Sequence, residues 1–103
     1  MFQLTAFYNH PEDVEAFDKH YDEVHTPLAA KLPGLQRFTV SRPGPDQDGN
    51  QPAYHLIAVL EWADQAALDA GFAGPEGEAA MADLPKFAGA GVTIVTGPGR
   101  TVL

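Results

Sequence analysis

The sequence predicts an α+β domain in which four short strands and two amphipathic helices follow one another as strand, helix, strand, strand, helix, strand. Three observations lead there. Apolar residues alternate with a period of two near the start of the chain and over residues 54 to 62, and they recur at helical spacing over residues 12 to 31 and again beyond residue 64. The segment 54 to 62 is apolar on both faces, so it asks for cover on two sides. A chain of 103 residues makes one domain, residues 1 to 103, and has little material with which to cover both. An apolar sheet face left bare then calls for a second copy of the chain.

The first strand is FQLTAFY, residues 2 to 8, with Phe2, Leu4, Ala6 and Tyr8 on one face and Gln3, Thr5 and Phe7 on the other. Asn9 to Asp13 contain a capping-type residue, a proline and two carboxylates, which suits the start of a helix. Val14, Phe17, Tyr21, Val24 or His25, Leu28 and Leu32 fall at helical spacing, placing the first helix at about residues 12 to 31. Pro27 lacks a backbone donor and clashes with the preceding turn, so the helix should kink or restart near Val24 to Thr26. Leu32-Pro33-Gly34 ends it, and Leu35 to Ser41 reads as the second strand. Residues 42 to 53, dense in Pro, Gly, Asp and Asn, form an exposed hairpin connection.

The third strand, Tyr54 to Trp62, places Tyr54, Leu56, Ala58, Leu60 and Trp62 on one face and His55, Ile57, Val59 and Glu61 on the other. Asp64 is the expected N-cap of a second helix that is interrupted at Gly74-Pro75 and resumes through Met81 and Leu84. Val92 to Thr96 is the last strand. This order is that of the ferredoxin-like split fold, in which both helices lie on one face of the sheet.

Composition narrows the partners. Fourteen acidic against six basic residues give a formal charge of -8, which repels phosphate backbones and anionic lipid, so neither nucleic acid nor a membrane surface is expected as a partner. The absence of cysteine removes disulfides, thiolate nucleophiles and cysteine-based metal sites. Nothing at the N-terminus resembles a signal peptide and no segment is long enough to cross a bilayer, so a cytoplasmic location is the expectation.

Of the four histidines, His20 and His25 lie five apart, roughly 140° around a helix that turns about 100° per residue, and they converge only if the irregularity at Pro27 rotates one of them. The His-Glu-x-x-His zinc pattern is absent, and no metal site is expected. Tyr21 and His25, four apart, share the helix face of Phe17 and Leu28. A histidine there can act as a general base while the phenol donates a hydrogen bond to an enolate or carbonyl oxygen. The same histidine can instead be structural, bonded to a carbonyl freed near Pro27, and that is the commoner role for such a residue. Asp22 and Glu23 read as the wet face of the helix, and His10 and His20 as surface residues. Tyr8, Tyr54 and Trp62 are aromatics with polar handles that could line a pocket for a flat or cyclic ligand, and their commoner role is to fill a core or an interface.

The segment FDKHYDEVHTPLAAKLPGLQRFTVSR, Phe17 to Arg42, resembles the EthD family of dimeric α+β barrel proteins. Phe17, Tyr21, His25, Pro27, Leu28 and the exit Leu32-Pro33-Gly34-Leu35 carry the resemblance; Glu61-Trp62 and Met81-Ala82-Asp83-Leu84 to Phe87 extend it more loosely. The resemblance implies a homodimer whose two sheets face each other to close a barrel. It also implies that His25 is the family's characteristic histidine and Tyr21 its accompanying aromatic.

The reading that follows is a cofactor-independent small-molecule enzyme moving a proton on a cyclic or aromatic carbonyl compound by isomerisation, cyclisation, dehydration or decarboxylation. His25 and Tyr21 would carry the chemistry, with Tyr8, Tyr54, Trp62 and Phe38 around the ligand. The alternative is a non-catalytic metabolite-binding or accessory protein. A third possibility is a cleft filled by its own side chains, Phe17, Phe38, Met81 or Phe87.

Overall fold

The period-two segments pair as a four-stranded antiparallel sheet in the computed structural model, which describes residues 1–103. Its strands are β1 (Phe2–Tyr8), β2 (Arg37–Ser41), β3 (Leu56–Trp62) and β4 (Val92–Pro98), in the spatial order β2-β3-β1-β4. Leu4 lies opposite Leu60, Ala6 opposite Ala58 and Tyr8 opposite Leu56, so the buried residues of the two central strands fall in rows on one face. The arrangement is the predicted ferredoxin-like α+β fold.

Helices cover that face alone. α1 (Val14–His20) runs through a π-helical turn, Tyr21–His25, into α2 (Thr26–Ala30); α3 (Gln65–Ala73) and α4 (Pro75–Phe87) follow β3. The Asp13 carboxylate accepts from the Ala16 amide at 3.0 Å and that of Asp64 from the Ala67 amide at 2.8 Å, each satisfying a donor that the first helical turn leaves free. Gly74 and Pro75 separate α3 from α4 at the predicted break. The molecule is only 18 Å through its thin axis, the depth of one sheet and one helical layer. No helix is long and apolar enough to cross a membrane.

Trp62 anchors the packing at one end. It is fully buried, its Nε1–H donates to the Pro33 carbonyl at 3.0 Å, and its ring leans on Phe72. A Cβ on Gly71 would stand 2.7 Å from the same carbonyl, so only glycine lets α3 approach this closely. The other sheet face is uncovered. Phe7, Ile57 and Val59 are half-buried there against one another, and Val95 is exposed.

Four boundaries differ from the sequence expectation, each because of local hydrogen bonding. Asp13 is the cap, so α1 starts at Val14 and not at residue 12. The Leu35 amide is spent on the Leu32 carbonyl in the turn after Gly34, whose φ is 76°, so β2 starts at Arg37. β4 runs on to Pro98 because Gly97 and Pro98 lie opposite Gln3 and Phe2. β3 starts at Leu56; His55 and Tyr54 precede it, and their faces are exchanged relative to the simple alternation. The Tyr54 ring packs on Phe7 of the bare face, at 4.9 Å between centroids, and His55 turns to the helices and bonds to Asp18.

Candidate functional site

The π-helical turn determines what the first helical run can reach. Pro27 has no amide hydrogen and its ring crowds the carbonyl four residues back, so the regular ladder fails there. Thr26 compensates: its amide and its hydroxyl both donate to the Tyr21 carbonyl, the hydroxyl at 2.9 Å. In a π turn residues five apart come nearly into line, as residues four apart do in an α-helix. His20 and His25, which regular α geometry would hold apart, therefore point toward the same neighbour.

That neighbour is Asp83 of α4, a side chain the sequence reading did not single out. Its Oδ1 accepts from His20 Nε2–H at 2.9 Å and its Oδ2 from His25 Nδ1–H at 3.0 Å. Asp83 is 2% exposed and His25 6%, whereas the His20 side chain is 27% exposed and looks into an open groove. Burial opposes the charge on Asp83, yet the hydrogen bonds from His20 and His25 outweigh it and hold the carboxyl below its usual range. An ionised carboxylate can only accept, so His25 must carry its proton on Nδ1. Burial lowers the His25 pKa, with Asp83 pulling the other way and His20 adding to the decrease, so the ring is neutral near pH 7. Its Nε2 makes no hydrogen bond within the chain and presents a free lone pair.

A pocket between helices and sheet receives this face of His25. Fourteen of its fifteen lining residues are hydrophobic, among them Tyr8, Tyr21, Phe38 and Met81, and none is lysine or arginine. The Tyr21 hydroxyl is buried without a partner, a cost that a binding site can reverse by supplying an acceptor. Burial pushes both phenols well above the ordinary tyrosine range, helped at Tyr8 by the charge of Asp83 and at Tyr21 by Tyr8 and Asp22, so each remains a donor at neutral pH. Phe87 packs on His25 with centroids 4.8 Å apart and stacks on His20 at 5.1 Å, separating the pocket from the groove. The free space is about 40 Å³, enough for a few water molecules, against roughly 300 Å³ or more in a typical small-molecule site. Met81 and Ile94 on the lining are 46% and 37% exposed and form the way in.

The structure thus gathers His25, Tyr21, Tyr8 and Phe38 around one pocket and leaves two expected ligand contacts outside it. Tyr54 is on the opposite sheet face, for the register reason given above. Trp62 is sealed in the core behind Pro33 and Phe72. His10 Nε2 meets the Pro52 carbonyl at 2.7 Å, and His55 meets Asp18 at 2.9 Å. No three His, Cys, Asp or Glu side chains come together in a way that could hold a metal ion.

Comparison with known proteins bears on this site. A profile of the EthD domain matches residues 9–91, which include Tyr21, His25 and Asp83. An uncharacterized 11.0 kDa protein in the thcB-thcC intergenic region of Rhodococcus erythropolis is 40% identical over 103 residues, covering 100% of this chain and 99% of that one. The crystal structure of an ethyl tert-butyl ether d (ethd) family protein from Bacillus halodurans superposes with a TM-score of 0.91 at 35% identity, over 97% of this chain and 99% of the other. A protein from Jannaschia sp. described as dimeric and ferredoxin-like has a TM-score of 0.62 at 25% identity, over 96% and 100%. SnoaB of Streptomyces nogalater, described as a cofactor-independent oxygenase, has a TM-score of 0.66 at 18% identity, over 99% and 94%, a likeness of fold.

Proposed function

The chain belongs to the EthD domain family, and from that premise we propose that it is a cofactor-independent small-molecule enzyme in which His25 Nε2 takes a proton from a cyclic or aromatic carbonyl compound. The observation that carries the proposal is the pairing of a histidine whose tautomer Asp83 fixes with a buried, unpartnered phenol on the same pocket. The proton leaves a carbon or oxygen of the substrate for Nε2, and the electron pair it leaves behind settles on the substrate oxygen. The Tyr21 hydroxyl donates to that oxygen, and the imidazolium formed is held by Asp83. Return of the proton at another atom completes an isomerisation; attack of the carbanion on a second carbonyl of the same substrate, whose oxygen then takes the proton, completes a cyclisation; delivery of the proton to a leaving hydroxyl completes a dehydration. The apolar, cation-free lining favours neutral ligands over carboxylates, and so these outcomes over decarboxylation. SnoaB's description supports the view that this fold carries cofactor-free chemistry.

The small free volume counts for the reading in which the cleft is filled by its own side chains, Phe38 and Met81 among them: a ring enters only if such lining residues move aside. Met81 has the flexible side chain for it. The bare sheet face is where a second copy would close the barrel, a reading supported by the neighbour described as dimeric. The test compares His25→Ala with the parent on phenolic, lactone and β-keto compounds, with light scattering and circular dichroism on both proteins. Both should scatter at twice 11.0 kDa, and turnover should fall by about 10²–10⁴-fold in the variant. Binding without turnover in the parent would install the accessory reading, and a monomeric parent would remove the shared barrel.

A further inference from the structure

His20 takes no direct part in the chemistry above, yet it is bonded to the carboxylate that governs His25. It is also the one member of the trio in contact with solvent. Its groove is a separate opening of about 590 Å³, lined also by Glu12 and Asp13 ahead of α1 and by Lys86 and Phe87 at the end of α4. The His25 pocket lies on the other side of Phe87.

We propose that His20 is a positioning residue that sets the base strength of His25 from outside the pocket, through the two oxygens of the shared Asp83 carboxylate. The inference rests on the reading of His25 as a base for its catalytic consequence, though not for its physical one. Two geometric facts carry it. The first is orientation: with Oδ1 held by His20 and Oδ2 by His25, the carboxylate plane cannot turn, and His25 keeps its proton on Nδ1 and its lone pair toward the ligand. The second is charge. One buried carboxylate serves two imidazoles, so a proton taken up by His20 from the groove claims the negative charge that would otherwise stabilise a His25 imidazolium. The effect of His20 on the His25 pKa has that sign. The remaining ionisable groups facing the trio are Tyr8 and Tyr21 on the pocket side and Glu12, Asp13 and Lys86 on the groove side, and Asp83 alone bonds to both rings. Solution conditions in the groove thereby reach the pocket without a ligand passing between them.

The test is a histidine-resolved NMR titration of the resting protein, parent and His20→Gln, in which glutamine keeps a donor for Asp83 Oδ1 and loses the titratable ring. In the parent, the His25 signals should show a second inflection at the pH where His20 titrates. In the variant that inflection should vanish and the His25 pKa should rise, by on the order of one unit. A His25 curve with a single inflection in the parent, or one unmoved by the substitution, overturns the coupling; the parent titration decides this even if the variant fails to fold. Turnover separates the two readings. If His25 is the base, the acidic limb of the pH–rate profile moves to higher pH in step with the NMR value. If the NMR shift appears while His25→Ala retains full turnover, the coupling stands and the base assignment fails.

Discussion

The molecule contains two His–Asp arrangements of nearly equal bond length that have little else in common. At the rim, His55 bonds to Asp18 at 2.9 Å, but Asp18 is 32% exposed and also pairs with Arg42 at 3.6 Å. Arg42 reaches Asp22 at 3.4 Å as well, so this cluster straps the end of β2 to the first helical run. The His55 ring lies edge-on to Phe17 and near His10, and it lines neither the His25 pocket nor the His20 groove. Inside, His25 and Asp83 are both buried, no lysine or arginine pairs with the carboxylate, and His25 lines an apolar pocket with an orphaned phenol. Residue type and distance are therefore poor guides to role. What separates a strap from a candidate base is burial, the kind of second partner on the carboxylate (a guanidinium at Asp18, an imidazole at Asp83), and whether the ring lines a pocket.

The strongest way to break this contrast is to neutralise each carboxylate. Asp83→Asn puts an amide NH₂ against one of the two imidazoles and forces that ring into its other tautomer. Turnover should fall by on the order of 10²-fold or more, and stability by about 1–3 kcal/mol as buried donors lose their acceptor. Asp18→Asn should change turnover little and cost about 1 kcal/mol or less, as expected of a half-exposed ion pair. Parallel rate measurements and urea titrations check both. Equal losses of activity in the two variants would erase the distinction.

The sequence carried one arm of this site and not the other. Phe17, Tyr21 and His25 were legible because they repeat every four residues on an apolar helix face, and Pro27 announced an irregularity without stating its kind. A π turn shifts every later residue around the axis, and no side-chain pattern distinguishes it from a kink, so the convergence of His20 with His25 was invisible. Asp83 was hidden for a different reason: it is 58 residues from His25, between Ala82 and Leu84 on a helix whose other acids, Glu76 and Glu78, are not buried. Tyr54 was misplaced because it lies ahead of β3, where the period-two alternation that assigned its face no longer holds. The overall topology survived these local errors because it depends on the pattern of whole segments.

Tyr21 offers a finer test, since its hydroxyl pays a desolvation cost with no bond in return. Tyr21→Phe should leave stability unchanged or raise it by about 1 kcal/mol, while ligand affinity or turnover falls about 10-fold or more through loss of a charge-stabilising donor. A surface strap behaves otherwise: loss of the His55–Asp18 bond gains nothing in stability. Thermal melts and kinetics on Tyr21→Phe settle the matter, and a destabilised variant with normal activity would mark the hydroxyl as structural.

The smallest expected effect is on the pH dependence of folding. In the unfolded chain His25 titrates near 6.5, the ordinary imidazole value; in the folded protein burial, partly offset by Asp83, holds it lower. Between those two values the unfolded state binds more protons than the native state, so stability is complete above about pH 6.5 and declines as the pH falls through the folded pKa. Asp83, also lowered, adds its own loss only at more acidic pH, below the ordinary aspartate value of 3.8. The urea midpoint of the parent should therefore drop between pH 7 and pH 5. In His25→Gln, which has no group to protonate there, the curve should be flatter over the same range. Parallel curves would mean that His25 takes up its proton as readily in the folded protein as in the unfolded chain, and the buried neutral imidazole on which the contrast with His55 depends would have to be abandoned.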